Sequence, residues 1–112
     1  MNGPRLEEDV ALARAIASAA LSVAGVAHLS EAPGGAATHA PGESIRGVAV
    51  RRSGAGQLWA TVELVAEYRP RENLRELADR VRRAALRAAR ETVPGGVAGV
   101  DVAVHDVAVP VE

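Results

Sequence analysis

The chain of 112 residues has no cysteine, no lysine and no phenylalanine, and it has one Trp and one Tyr. Without cysteine there is no disulfide, no thiolate metal site and no cysteine nucleophile. Because aromatic surface is so scarce, the core must consist of Val, Leu, Ile and Ala, and platforms that stack bases or cage ligands are missing. All thirteen basic residues are Arg, a composition typical of a GC-rich genome such as that of an actinobacterium.

Long apolar runs and an excess of charge are also missing. No run approaches the ~20 apolar residues of a membrane span, and the acidic run at residues 7–9 does not fit a signal peptide. We therefore expect a cytoplasmic location. A net charge of −1 argues against bulk electrostatic binding to nucleic acid or anionic lipid. The length fits a single domain spanning residues 1–112.

Apolar residues at helical spacing predict two helices. The first covers residues 6–24, with the acidic residues 7–9 in its first turn and Gly25 as the left-handed residue that follows it. The second covers residues 73–92 and begins at Asn73, a residue type that caps helix N-termini. Its apolar stripe predicts that one side packs on a sheet.

Alternating apolar residues predict three strands. Residues 48–51 and 57–68 form a hairpin around a turn at 53–56. Residues 99–109 form the last strand, where a shift in the apolar phase near 105–106 indicates a bulge or the end of the strand.

The segment 30–44 is rich in Pro and Gly and is predicted to be a flexible loop. The order is then α–β–β–α–β, which predicts an α+β domain in which both helices pack on one face of a three-stranded sheet. The strand that follows the second helix should run parallel to the strand before it.

We found no set of residues arranged for catalysis, cofactor binding or metal binding. The three histidines have no partners at metal-ligand spacing, and His105 and Asp106 point to opposite faces of one strand. Glu63 and Glu67 share a strand face and are interpreted as solvated. We therefore expect no enzymatic activity, no cofactor and no small-molecule substrate.

Trp59 and Val65 are candidate interaction residues. The alternation places both on the sheet face away from the helices, and a lone Trp on such a face can anchor an interface. Trp59 could equally shield a bare sheet face, or point inward if the register differs.

Four arginines form a stripe on the second helix: Arg80, Arg83, Arg87 and Arg90. One interpretation is a site for an anion or a partner. The other is a solvated face, in which Glu76 faces Arg80 and Asp79 faces Arg83 at spacing four.

Four stretches resemble the alkaline shock protein family, the envelope stress response proteins of Gram-positive bacteria. They are VAGVA at 23–27, GVAV at 47–50, VELVAEY at 62–68 and VAGVDVAV at 97–104. Two features depart from the family pattern: Arg69-Pro70 stand where a Gly is expected, and the segment before the first predicted strand is longer.

The resemblance implies a non-enzymatic protein of cell-envelope homeostasis that acts through protein–protein interaction. Some relatives are held at the membrane by a separate anchor protein, and some self-associate. One alternative is a KH-like nucleic-acid-binding domain that uses the arginine stripe, although the GXXG loop between paired helices is missing. A small hydrolase is a second alternative, because the lack of a motif is weak evidence against one.

Overall fold

The computed structural model describes residues 3–109, with side chains from residue 7 onward. These residues form an α+β fold of two helices and six strands, as the sequence predicts for the fold class. In chain order the elements are α1 (Gly3–Leu21), β1 (Val26–Leu29), β2 (Ala37–Ala40), β3 (Glu43–Arg46), β4 (Val48–Arg52), β5 (Leu58–Glu67), α2 (Leu74–Thr92) and β6 (Gly99–Ala108).

Strand β5 is the centre of the main sheet. Strand β6 runs parallel to it along one edge, as predicted for the strand that follows α2. Along the other edge, β4 and β1 both pair antiparallel with β5, β4 beside its first half and β1 beside its second half. The sheet therefore has four strands. The prediction of three strands was wrong because β1 has only four residues and depends on pairing with a distant part of the chain.

The predicted bulge in β6 is confirmed. Val104 pairs with Leu64 and Asp106 pairs with Val65, so His105 is the extra residue of β6. A bulge bends a strand and redirects the side chain at that point.

Residues 30–47 form an insertion between β1 and β4. Both of its ends bind Glu63 of β5: the Ser30 N–H donates to the Glu63 carbonyl at 2.8 Å, and the Glu63 N–H donates to the Gly47 carbonyl at 2.8 Å. The Gly47 N–H also donates to the Ala36 carbonyl at 2.7 Å. Strands β1 and β4 therefore lie along one edge of β5 like two halves of a single strand, which the insertion interrupts opposite Glu63.

The insertion contains a hairpin in which β2 pairs with β3. The prediction of a loop over residues 30–44 was therefore wrong for this part, whereas its flexibility stays a prediction. Pro41 and Gly42 form the turn, with φ of +78° at Gly42. The hairpin contacts α1 and β4, and the Thr38 hydroxyl donates to the Val48 carbonyl at 2.8 Å.

Helix α1 differs from its predicted bounds at both ends. It begins at Gly3, so Glu8 and Asp9 lie beyond the first turn, where they bind Arg52 at 3.3 and 3.1 Å. It ends at Leu21, so Gly25 does not follow the helix directly. Gly25 instead has a φ of +102° in the turn that leads into β1.

Helix α2 confirms the prediction from Asn73 onward. The Asn73 Oδ1 accepts the backbone N–H groups of Arg75 at 2.9 Å and Glu76 at 3.3 Å. Leu77, Val81 and further residues at helical spacing are fully buried.

A single buried cluster joins both helices to one face of the sheet. Its residues are Leu, Ile, Val and Ala, as the scarcity of aromatic residues predicts. The largest fully buried side chains are Leu12, Ile16, Val48, Val62, Leu64, Leu77 and Val81. The helices thus cover one side of the sheet, and the side chains of its other side form a separate surface.

Candidate protein-interaction face

The candidate site is the sheet face opposite the helices, which we call the open face. It comprises Arg51 of β4, Trp59, Thr61, Glu63 and Val65 of β5, and Asp101 and His105 of β6. Alternation along β5 produces this face, because Ala60, Val62 and Leu64 are buried toward the helices and the residues between them are half-buried.

Trp59 lies on the open face, as predicted, and not in the interior. Its ring packs directly on Gly99 of β6, where an added Cβ would stand 2.2 Å from Cζ3 of the indole. The Arg51 guanidinium carbon lies 6.0 Å from the ring centroid, within cation–π range. The indole is therefore held between a backbone and a cation, which fixes its orientation at the surface.

Arg51 also connects three strands across the open face. Its guanidinium donates to the Thr61 hydroxyl at 3.1 Å and to the Asp101 carboxylate at 3.3 Å. Both charged side chains are more than half exposed, at 58% and 65%. Such an exposed pair adds little to stability. Its charges remain accessible to a partner.

Val65 is half-buried near the other end of the same face. Its register neighbours are His28 of β1 and Asp106 of β6, both exposed. Val65 is thus an apolar residue with polar neighbours on both adjacent strands. It lies six residues after Trp59 along β5.

A hydrogen-bonded cluster that the sequence analysis missed occupies the middle of this face. Glu63 accepts the Ala36 N–H with one carboxylate oxygen, and its other oxygen lies 3.2 Å from Nε2 of His105. Nδ1 of His105 lies 3.3 Å from the Ser30 hydroxyl. The interpretation of Glu63 as solvated was wrong, because its side chain is only 18% exposed.

The predicted topology gives part of the signal for the contact between Glu63 and His105, but not the register that it needs. Glu63 was assigned to this sheet face and β6 was predicted to run beside β5, so His105 needed only the correct register to reach Glu63. Because residue 105 is the bulged position, a strictly alternating strand model did not provide that register.

The cluster contains Ser, His and Glu, the residue types of a hydrolase site, and all three also contact or belong to the junction between the insertion and the sheet. Ser30 is only 6% exposed, and its hydroxyl also accepts the Ala32 N–H at 3.4 Å. Glu63 binds the insertion through Ala36. These contacts attach the insertion to the sheet and leave the hydroxyl with little access to a substrate.

The arginine stripe lies on the other side of the molecule, on the outer face of α2. Arg80 binds Glu72 at 2.6 Å rather than the predicted Glu76, and it also reaches the Ala24 carbonyl at 3.4 Å. The predicted pair of Arg83 with Asp79 is present at 3.7 Å.

Arg87 and Arg90 form no ion pair within the described part of the chain. The stripe lies on α2, whereas Trp59 and Val65 lie on the open face of β5. The two candidate surfaces are therefore separate.

Between residues 7 and 109, no three His, Asp or Glu side chains come close enough to hold a metal ion. Neither described helix is long and apolar enough to cross a membrane. Comparisons of the chain with protein-family models, with curated proteins and with solved structures found no match in any of the three.

Proposed function

We propose that the protein is a non-enzymatic interaction module whose open face binds a protein partner. The observation that carries this proposal is Trp59, which is held at the surface between Gly99 and Arg51. Trp and Arg are the residue types that most often dominate the energy of protein interfaces. A rigid indole loses little conformational entropy on binding, because its position is already fixed.

The rest of the open face suits a protein better than a small molecule. It is a sheet surface with half-buried Val65 and Thr61, and exposed charges at Arg51 and Asp101. A small molecule needs a concave site that buries most of its surface, whereas a protein interface combines an apolar centre with a polar rim.

The biological role we propose is envelope stress response or cell-envelope homeostasis, with action in the cytoplasm and a membrane-anchored protein as the partner. This part rests on the resemblance of the four sequence stretches to the alkaline shock protein family. The buried position of Ser30 supports the non-enzymatic part of the proposal.

A partner-capture experiment tests the proposal. Tagged wild-type protein, Trp59→Ala and Arg51→Glu are expressed in the native host, and membrane and cytoplasmic fractions are analysed after crosslinking. Arg87→Glu is the matched control, because Arg87 is exposed on the outer face of α2. We expect a specific protein partner in the membrane fraction of wild type and control, and its loss in both open-face variants.

Two results would contradict the proposal. One is a purely cytoplasmic protein from which crosslinking recovers no partner. The other is salt-sensitive RNA binding that Arg87→Glu weakens and Trp59→Ala leaves unchanged, which would favour the KH-like alternative and its arginine stripe.

A further inference from the structure

The outer edge of β6, on the side away from β5, is unpaired. Within the described residues, β6 pairs with β5 alone. Its ten residues make it longer than an average strand of about five or six. A free edge presents backbone N–H and C=O groups that have no partner, and proteins protect such edges with short strands, bulges or covering segments.

The opposite edge of the sheet is protected in these ways. Strands β1 and β4 have only four and five residues, and the insertion interrupts them opposite Glu63. The hairpin of the insertion also contacts β4, where the Thr38 hydroxyl donates to the Val48 carbonyl. This edge is therefore short, broken and partly covered.

The second half of β6 is protected as well. His105 is the bulged residue, and a bulge bends the strand away from regular pairing. The Asp106 Oδ1 accepts the Val107 N–H at 2.8 Å, so this backbone donor is already occupied. Residues 99–104, which precede the bulge, have neither feature.

The register shows which backbone groups of this segment point outward. When two residues pair in a parallel ladder, one directs its N–H and C=O to the other strand and its partner directs them away. Glu63 directs both groups away from β6, to the two ends of the insertion, and its register partner is Ala103. The groups of Ala103 therefore point to β5. Since neighbouring residues alternate, those of Val102 and Val104 point outward.

A groove between this edge and α2 has room for the side chains of an added strand. It has a volume of about 520 Å³ and is lined by Ala78, Val102 and four charged residues of α2: Arg75, Glu76, Asp79 and Arg82. The two signs balance, and Arg82 pairs with Asp79 at 2.5 Å. Arg82 Nε also donates to the Val100 carbonyl at 3.1 Å, so β6 already accepts a hydrogen bond from outside the sheet.

We propose that an extended peptide segment of another protein binds along residues 99–104 of β6 as an additional strand. Its backbone groups pair with those of Val102 and Val104, the mode of recognition called β-strand addition. Because side chains alternate along a strand, every second one enters the groove beside Ala78, where balanced charges and small apolar residues favour an aliphatic side chain. The others lie beside Asp101, whose 65% exposed carboxylate favours a basic side chain.

A second copy of β6 complements this edge less well than such a peptide. Asp101 and Asp106 pair with Thr61 and Val65, so both aspartates lie on the open face of the sheet. Two copies of β6 side by side would gather the carboxylates of both strands on one face, where like charges oppose pairing. Peptide binding at this edge does not depend on a partner at the open face, since it uses the backbone of β6.

Selection from a phage-displayed library of short random peptides tests the inference. Wild type should select peptides in which aliphatic and basic residues alternate. In NMR spectra of the free protein, the amides of Val102 and Val104 should exchange rapidly with solvent. A selected peptide, made synthetically, should slow the exchange of both.

Variants of the edge and of the peptide separate backbone pairing from other contacts. Val102→Pro should weaken peptide binding at least about tenfold, because Pro removes the outward N–H and is tolerated on edge strands. Val102→Ile keeps the N–H and is the matched control, and thermal unfolding confirms that both variants are folded. N-methylation of the peptide at alternate residues should abolish binding in one phase and leave it in the other, which tests the pairing on the unaltered protein.

Four results would overturn the inference. The library could yield no peptide that binds the protein. Binding could survive Val102→Pro in the folded variant, or survive N-methylation in both phases. The peptide could slow amides elsewhere and leave Val102 and Val104 unchanged. Finally, these two amides could slow without peptide as the protein concentration rises, which would make a second copy the occupant of the edge.

Discussion

Gly99→Ala should release Trp59 from the sheet without touching the helical core. The added methyl carbon would stand 2.2 Å from Cζ3 and 2.8 Å from Cε3 of the indole, far inside van der Waals contact. Because Gly99 is paired within a β-ladder, the backbone has little freedom to move away. The side chain of Trp59 must therefore rotate toward solvent and away from Arg51.

The expected cost follows from the surface that the indole loses. A buried Trp covers ~150–250 Å², so uncovering roughly 100 Å² costs about 2.5 kcal/mol at ~25 cal/mol per Å². Replacing Gly by Ala offsets about 0.4–1 kcal/mol of this by restricting the unfolded chain. Gly99→Ala should thus lower the free energy of unfolding by about 2 kcal/mol.

Fluorescence and urea denaturation check this prediction, because Trp59 is the single Trp of the chain. The variant should show a red-shifted emission maximum, stronger quenching by acrylamide and a lower urea midpoint. Gly54→Ala is the matched control, since an added Cβ there meets no atom within 4 Å. An unchanged emission maximum and midpoint in Gly99→Ala would refute the packing of Trp59 on Gly99.

Three further substitutions test how the insertion and α2 are held. Gly47→Ala should lower the free energy of unfolding by about 2–4 kcal/mol, because Gly47 has a φ of +88° and an added Cβ would stand 2.6 Å from the Leu29 Cβ. Gly34→Ala is the control: Gly34 has a φ of +76° but lies in open space, so this variant should cost only about 1 kcal/mol. Equal urea midpoints for the two variants would contradict the close approach of Gly47 to Leu29. Glu63→Ala should lower the free energy of unfolding by about 1–3 kcal/mol and speed hydrogen exchange within residues 30–47, because the Ala36 N–H loses its acceptor. Unchanged exchange in this segment would show that Glu63 does not hold the insertion. Asn73→Ala should lower the free energy of unfolding, measured by urea denaturation, by about 1 kcal/mol. Asn73→Asp should change it very little, because Asp keeps the oxygen that caps α2. Equal losses of stability in the two variants would argue against the cap.

The elements predicted well from sequence are those with long, unambiguous periodicity. Strand β5 alternates over ten residues and α2 has both a cap and a complete apolar stripe, so their bounds fall within one residue of the predicted ones. Helix α1 is rich in alanine, which fits either face of a helix. The pattern therefore does not predict that Leu12 is fully buried and Leu21 half exposed.

The parts that could not be predicted depend on pairing between distant segments. Strands β1, β2 and β3 have four residues each, too few to show a period, and β1 exists because β5 has a free edge beside it. The contact between Glu63 and His105 depends on the register across a bulge. Of the candidate site, the alternation predicted which face Trp59 and Val65 occupy, but not the contact of Trp59 with Gly99.

Site-specific photocrosslinking in living cells tests most directly whether the open face binds another protein. A photoreactive amino acid is placed at Thr61, in the middle of the open face, and in a second strain at Arg87, on the outer face of α2. Our account predicts a discrete protein adduct from position 61 and none from position 87. No adduct from position 61, or the same adduct from both positions, would contradict it.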